Sequence, residues 1–118
     1  MHFGYDGQNI ETSLTLIKYF DAFLGLVSLL YDSDVRRRDF YGKAGAFRLC
    51  KYGFEFRTLS SAMMSNTELI SIIYKQVIRA VNSFNMGGML PDYTSTQTAI
   101  NNGDVKLAKQ LISKYSLF

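Results

Sequence analysis

Cysteine is nearly missing from this sequence. Cys50 is the single one, so no internal disulfide can form. A secreted, disulfide-stapled scaffold is thereby excluded, and a reducing cytoplasm is the expected compartment. Histidine is equally scarce, with His2 alone, so there is no Cys/His zinc spacing and no Ser-His-Asp set. Long apolar runs are missing too. The longest, Ala22 to Tyr31, is interrupted by Gly25 and Ser28 and falls well short of the roughly 20 residues that cross a bilayer. No membrane partner is expected. The opening Met1-His2-Phe3-Gly4 lacks the charged-then-apolar pattern of a signal peptide. Low-complexity segments and internal repeats are absent as well. Neither sign of charge dominates: 13 Lys and Arg against 10 Asp and Glu leave a net charge of +3. That suits an anionic ligand but is too small to argue for nucleic acid.

What remains is an ordinary globular composition. The 118 residues are 47% hydrophobic, enough for one small domain over 1–118. Ile10, Leu14, Ile17, Phe20, Leu24, Val27 and Leu30 recur at helical spacing and predict a helix over about 10–31. Its polar stripe, Lys18, Asp21, Gly25, Ser28 and Asp32, is narrow, so other structure must cover most of it. Its apolar face reads as too large for this short chain to cover alone. Residues 32–45 read as a polar loop. Ser65 and Glu68 form a capping box that starts a helix over about 65–85, which Gly87-Gly88 and Pro91 stop. Shorter helices follow at about 95–102 and 104–115, separated by Gly103 as a C-cap.

Residues 46–59 alternate with period two and predict a β-hairpin turning at Tyr52-Gly53. The fold class is therefore α+β. A lone hairpin is rarely stable, and the chain does not obviously supply further strands. With that turn, Arg48 lies opposite Arg57 and Cys50 opposite Glu55. Side chains alternate between faces, so Arg48, Cys50, Glu55 and Arg57 share one face. Phe47, Leu49, Phe54 and Phe56 share the other, apolar one. Two arginines opposed on a sheet repel, so an anion should sit between them. Arg36, Arg37, Arg38 and Lys43 lie just upstream. Guanidinium groups hold phosphates and carboxylates in a fork, and a carboxylate such as Glu55 suits Mg²⁺. Together they are the parts of a phosphate-transfer site.

The plainer readings are an arginine run as a solvated loop face, Glu55 and Arg57 as a surface pair of little energetic weight, and Cys50 as a packed residue. Tyr41-Gly42-Lys43-Ala44-Gly45 is not a P-loop pattern.

Against these, Arg36-Arg37-x-x-x-Tyr41-Gly42-Lys43-Ala44-Gly45-x-x-Arg48, followed by Tyr52-Gly53-Phe54-Glu55-Phe56-Arg57-Thr58-Leu59-Ser60, resembles the signature of type 2 carboxylate–amine ligases of tailed phages. These are amidoligases related to glutamine synthetase and glutamate–cysteine ligase. His2-Phe3-Gly4-Tyr5 resembles the end of that family's His-x-His strand. The resemblance implies a partial glutamine-synthetase-like antiparallel sheet packed with helices. It implies ATP and Mg²⁺ as cofactors, with Glu55 and His2 near the metal and Arg57 on the substrate carboxylate. Arg36, Arg37, Lys43 and Arg48 would hold ATP phosphates, and Arg36, Arg48, Glu55 and Arg57 would form the catalytic set. The implied reaction joins an amino-acid or peptide carboxylate to an amine through an acyl phosphate.

The family's first His and its acidic strands would precede Met1. The chain then reads as the C-terminal part of a catalytic domain, inactive without an N-terminal partner chain or a homo-oligomer. If phage-encoded, it would work in the host bacterial cytoplasm. Two other readings compete: a nucleic-acid-binding module using Arg36–Arg38, with affinity falling steeply in salt, and a non-catalytic remnant binding a partner through its apolar helix face. Glu55 beside the arginines speaks against nucleic acid.

Overall fold

Three short antiparallel strands form the sheet: β1 (His2–Gly4), β2 (Phe47–Cys50) and β3 (Gly53–Phe56), in the order β1-β3-β2. The structure is a computed structural model that describes residues 1–32, 36 and 42–118; Arg37, Arg38 and Tyr41 lie outside the described residues. The hairpin is thus not alone, because His2–Gly4, in the segment that resembles the end of a family strand, pairs with β3. Beyond the strand ends the pairing continues. The Met1 amino group donates to the Phe56 carbonyl (3.1 Å) and the Phe56 N–H to the Met1 carbonyl (2.7 Å).

The turn falls at Lys51-Tyr52 rather than Tyr52-Gly53, and Arg48 lies opposite Glu55, not Arg57. The opposed-arginine pairing is therefore corrected. The reason is Gly53 itself. A Cβ at this position would lie 2.0 Å from the Phe3 carbonyl oxygen, so the glycine serves the close passage of β1 and must belong to the strand. Because the register moves by an even step, the sorting of faces survives. Phe54 and Phe56 are buried, while Arg48, Glu55 and Arg57 share the opposite face. Leu49 departs from the apolar expectation. It lies on the core side but is 52% exposed, since β2 is an edge strand and helix α1 packs on β3.

Helix α1 (Ile10–Phe20) is capped by Asn9, whose side chain accepts the Thr12 N–H. A π-turn follows at Asp21–Gly25, then α2 (Leu26–Ser28). The expected helix over 10–31 is therefore shorter and interrupted. The π-turn inserts an extra residue per turn and so rotates everything after it. All nine residues from Asp21 to Leu29 are buried, whereas Ile10 and Leu14 are exposed. The chain does cover this long apolar face, contrary to expectation. It does so with α3 (Thr67–Asn85), α4 (Tyr93–Asn102) and α5 (Val105–Tyr115). The cap of α3 is Asn66, which accepts the Leu69 N–H at 2.9 Å. Ser65 instead closes the 3₁₀ turn Ser61–Met64, so the capping box is not used. Gly103 ends α4 in the left-handed conformation, as its position between two helical patterns implies.

Phe20 is the node of the core. Its ring lies 5.1 Å from that of Phe3 and 5.5 Å from that of Phe56, both edge-on as aromatic pairs favour, and 5.6 Å from the tilted ring of Phe54. Gln76, buried on α3, donates to the carbonyls of Phe23 and Leu117 and ties the C-terminal end to the π-turn. No helix among the described residues is long and apolar enough to cross a membrane.

Candidate active site

The polar face of the sheet carries a row of side chains at right angles to the strands. Register places His2 and Arg48 on either side of Glu55, which occupies the central strand. Arg57 follows two residues later on the same side. Arg48 Nη2 lies 2.6 Å from Glu55 Oε2, His2 Nε2 lies 3.8 Å from the same oxygen, and Arg57 Nε lies 3.9 Å from Oε1. The carboxylate is sunk, with 15% of its side chain accessible, while Arg48 is 63% and His2 53% accessible. The deep acid is thus rimmed by open cationic groups and an imidazole.

Glu55 Oε2 is buried yet accepts no aligned hydrogen bond among the described residues. This sits beside the 2.6 Å approach of Arg48 without contradiction. The guanidinium is close enough for strong charge attraction, but no N–H is aimed at the oxygen. A buried carboxylate oxygen without a directed donor is costly. It fits a hard cation, which takes one or two protein carboxylates and fills its remaining positions with phosphate oxygens and water. No group of three His, Cys, Asp or Glu among the described residues converges on one point. Residues Glu55 and His2 are therefore suited to a cation brought in by a phosphate ligand, not to one caged by the protein.

The upstream cations divide. Arg36 and Lys43 are exposed, and Arg37 lies outside the described residues. The backbone around Lys43 is firmly held. The Ala46 N–H and the Thr58 hydroxyl both donate to its carbonyl (3.0 and 3.1 Å), and the Ala44 N–H donates to Asn101 Oδ1 (2.8 Å). Two depressions elsewhere, of about 530 Å³ around Arg79 and Met86 and about 460 Å³ around Phe3 and Phe84, include neither Glu55 nor Arg48 in their walls.

A family model described as phage phiEco32-like COOH–NH₂ ligase type 2 matches residues 1–116. The chain belongs to that family. Comparison with curated proteins and with solved structures gives no match. Membership in this ligase family covers the helices as well as the arginine-rich signature, so α3 to α5 are family structure and not an appendage.

Reasoning from residues alone missed one participant. Asp21 reads from the sequence only as one member of a narrow polar stripe, but it is fully buried and hydrogen-bonded. Its carboxylate accepts the Gly45 N–H (2.7 Å), the Thr58 hydroxyl (3.1 Å) and the Tyr93 hydroxyl (2.8 Å). A signal was available. Tyr19-Phe20-Asp21-Ala22-Phe23-Leu24 places one acid inside the most apolar stretch of the chain, where a carboxylate needs partners.

Proposed function

We propose that the polar sheet face binds ATP phosphates and a substrate carboxylate, and that it serves an ATP-dependent carboxylate–amine ligase. The observation carrying this reading is the buried, undirected Glu55 oxygen between Arg48, Arg57 and His2. Arg48, with Arg36, Arg37 and Lys43 from upstream in the chain, holds ATP phosphates. Arg57 holds the carboxylate to be activated. Glu55, with His2 beside it, would hold Mg²⁺, which would supply charge neutralisation to the phosphates. In the reaction the substrate carboxylate oxygen takes the terminal phosphoryl group and ADP leaves. The amine nitrogen then attacks the acyl carbon, phosphate leaves with the bonding pair, and the ammonium proton passes to solvent. An amide, ADP and phosphate result.

On the strands described, Glu55 is the single acid of that face, fewer carboxylates than phosphoryl transfer ordinarily uses. Turnover in this reading is completed by an N-terminal partner chain or a further copy contributing acids beside β1. The place of action is the cytoplasm.

The test is calorimetric titration of the chain with ADP and with ATP, each with and without Mg²⁺. Wild type should bind nucleotide in a Mg²⁺-dependent manner. Glu55→Gln keeps the shape but loses the charge, and should weaken that binding about tenfold or more. Nucleotide binding indifferent to both Mg²⁺ and Glu55 would sink the reading. So would salt-sensitive DNA binding in the absence of any nucleotide affinity.

A further inference from the structure

Asp21 lies on the far side of the sheet from Glu55, in the helical layer, yet its partners are the two feet of the active hairpin. Gly45 precedes β2 by one residue beyond Ala46, and Thr58 follows Arg57 directly. The Arg57 N–H donates to the Ala46 carbonyl at 2.9 Å, so the two feet are also paired with each other. The Thr58 hydroxyl proton is shared between Asp21 Oδ1 and the Lys43 carbonyl. One carboxylate thereby links the Lys43–Gly45 turn, the end of β3 and, through Tyr93, the start of α4.

The local backbone is shaped around this contact. The π-turn at Asp21–Gly25 begins at the acid, and such turns re-aim side chains at a local cost. Gly45 adopts φ +75°, and a Cβ there would stand 2.8 Å from the Tyr93 hydroxyl. The chain accepts a left-handed glycine and a helix irregularity at the same place. Hydrogen bonds to a buried carboxylate are short and strong.

From this geometry we propose that Asp21 is a positioning residue, fixing where Lys43, Arg48 and Arg57 stand relative to Glu55. The proposal rests on the ligase reading for its consequence, but its structural half can be measured without it. The experiment compares wild type with Asp21→Asn, Thr58→Val and Tyr93→Phe. One arm measures amide hydrogen exchange by NMR. The other measures the Kd for Mg·ADP in each variant shown by circular dichroism to be folded at the assay temperature.

In Asp21→Asn, exchange at Gly45 and Arg57 should accelerate about tenfold, the equivalent of one lost charge-assisted bond, while Phe54 and Phe56 amides stay protected. The Kd should rise about tenfold in Asp21→Asn and about threefold in Tyr93→Phe, which removes one donor and leaves the carboxylate. A folded variant with unchanged Kd, or acceleration spread evenly through the core, overturns the proposal by assigning Asp21 to general stability. Should Asp21→Asn fail to fold, Thr58→Val and Tyr93→Phe carry the same two readouts. Should wild type bind no Mg·ADP, the ligase reading falls and the exchange pattern alone decides the positioning role.

Discussion

Tyr93 shows how one buried acid governs a neighbour. Burial raises its phenol pKa well above the ordinary value, and the Asp21 charge and the hydrogen bond to Asp21 raise it further. The Lys18 ammonium lies 5.4 Å from the ring centre. A group whose folded pKa is raised contributes stability that is complete below its unfolded pKa, about 10 for tyrosine, and lost above it. Tyr93→Phe should therefore cost about 1.5–3 kcal/mol at neutral pH, the usual net worth of a hydrogen bond to a charged group. Above pH ~10 wild type should lose stability more steeply than the variant, because its unfolded phenol ionises while the folded one cannot. Melting temperatures measured between pH 8 and 11 check both halves. At this scale the polar hairpin face was legible, because alternation alone assigns Arg48, Glu55 and Arg57 to one side. Asp21 was not, since residues 19–29 are buried all round, so a polar stripe at helical spacing does not mark a solvent face there.

The elements are where reading and structure diverge most, and each divergence has a local cause. A glycine in Tyr52-Gly53 looks like a turn residue, but its missing side chain is used by β1 crossing against β3. No local pattern reports a strand passing from elsewhere in the chain. Ser65-x-x-Glu68 offers a cap, yet Asn66, one residue on, meets the Leu69 N–H and wins. The boundary between α4 and α5 was legible, because Gly103 ends one helix and the Asp104 side chain accepts the Leu107 N–H at the start of the next; α4 itself begins at Tyr93, two residues before the expected 95. The Gly53 account makes its own prediction. Gly53→Ala should destabilise by about 3 kcal/mol, the scale of an overpacked contact, by pushing β1 off the sheet. Urea unfolding would give the loss, and exchange at the Phe54 and Phe56 amides would show whether β1 has detached. Unchanged protection of Phe56, whose N–H donates to Met1, would show that the sheet yields elsewhere.

At the scale of the molecule the chain is layered: an open polar sheet face, the sheet, the α1–π-turn–α2 helix, and α3 to α5 behind. Phe20 joins the layers by touching a ring on β1 and two on β3. Phe20→Ala should cost about 3–5 kcal/mol, as for other large-to-small core changes, and should lower the denaturation midpoint with a single transition retained. Two separated transitions would mean that the sheet and helices are not one cooperative unit. The layering also explains why an apolar helix that looked exposed is covered: the covering helices come later in sequence, and composition does not reveal what packs on what. The row His2, Glu55, Arg48 has one more consequence. Neighbouring strands are about 4.8 Å apart, so the His2 and Arg48 backbones stand roughly 10 Å apart across β3, yet their side-chain tips converge to 3.8 and 2.6 Å from the same oxygen, Glu55 Oε2. A ligand touching both must lie crosswise over the three strands with its middle above the carboxylate. Its reach is therefore set by two side chains that lean inward over the acid, a dimension that their substitution alters directly.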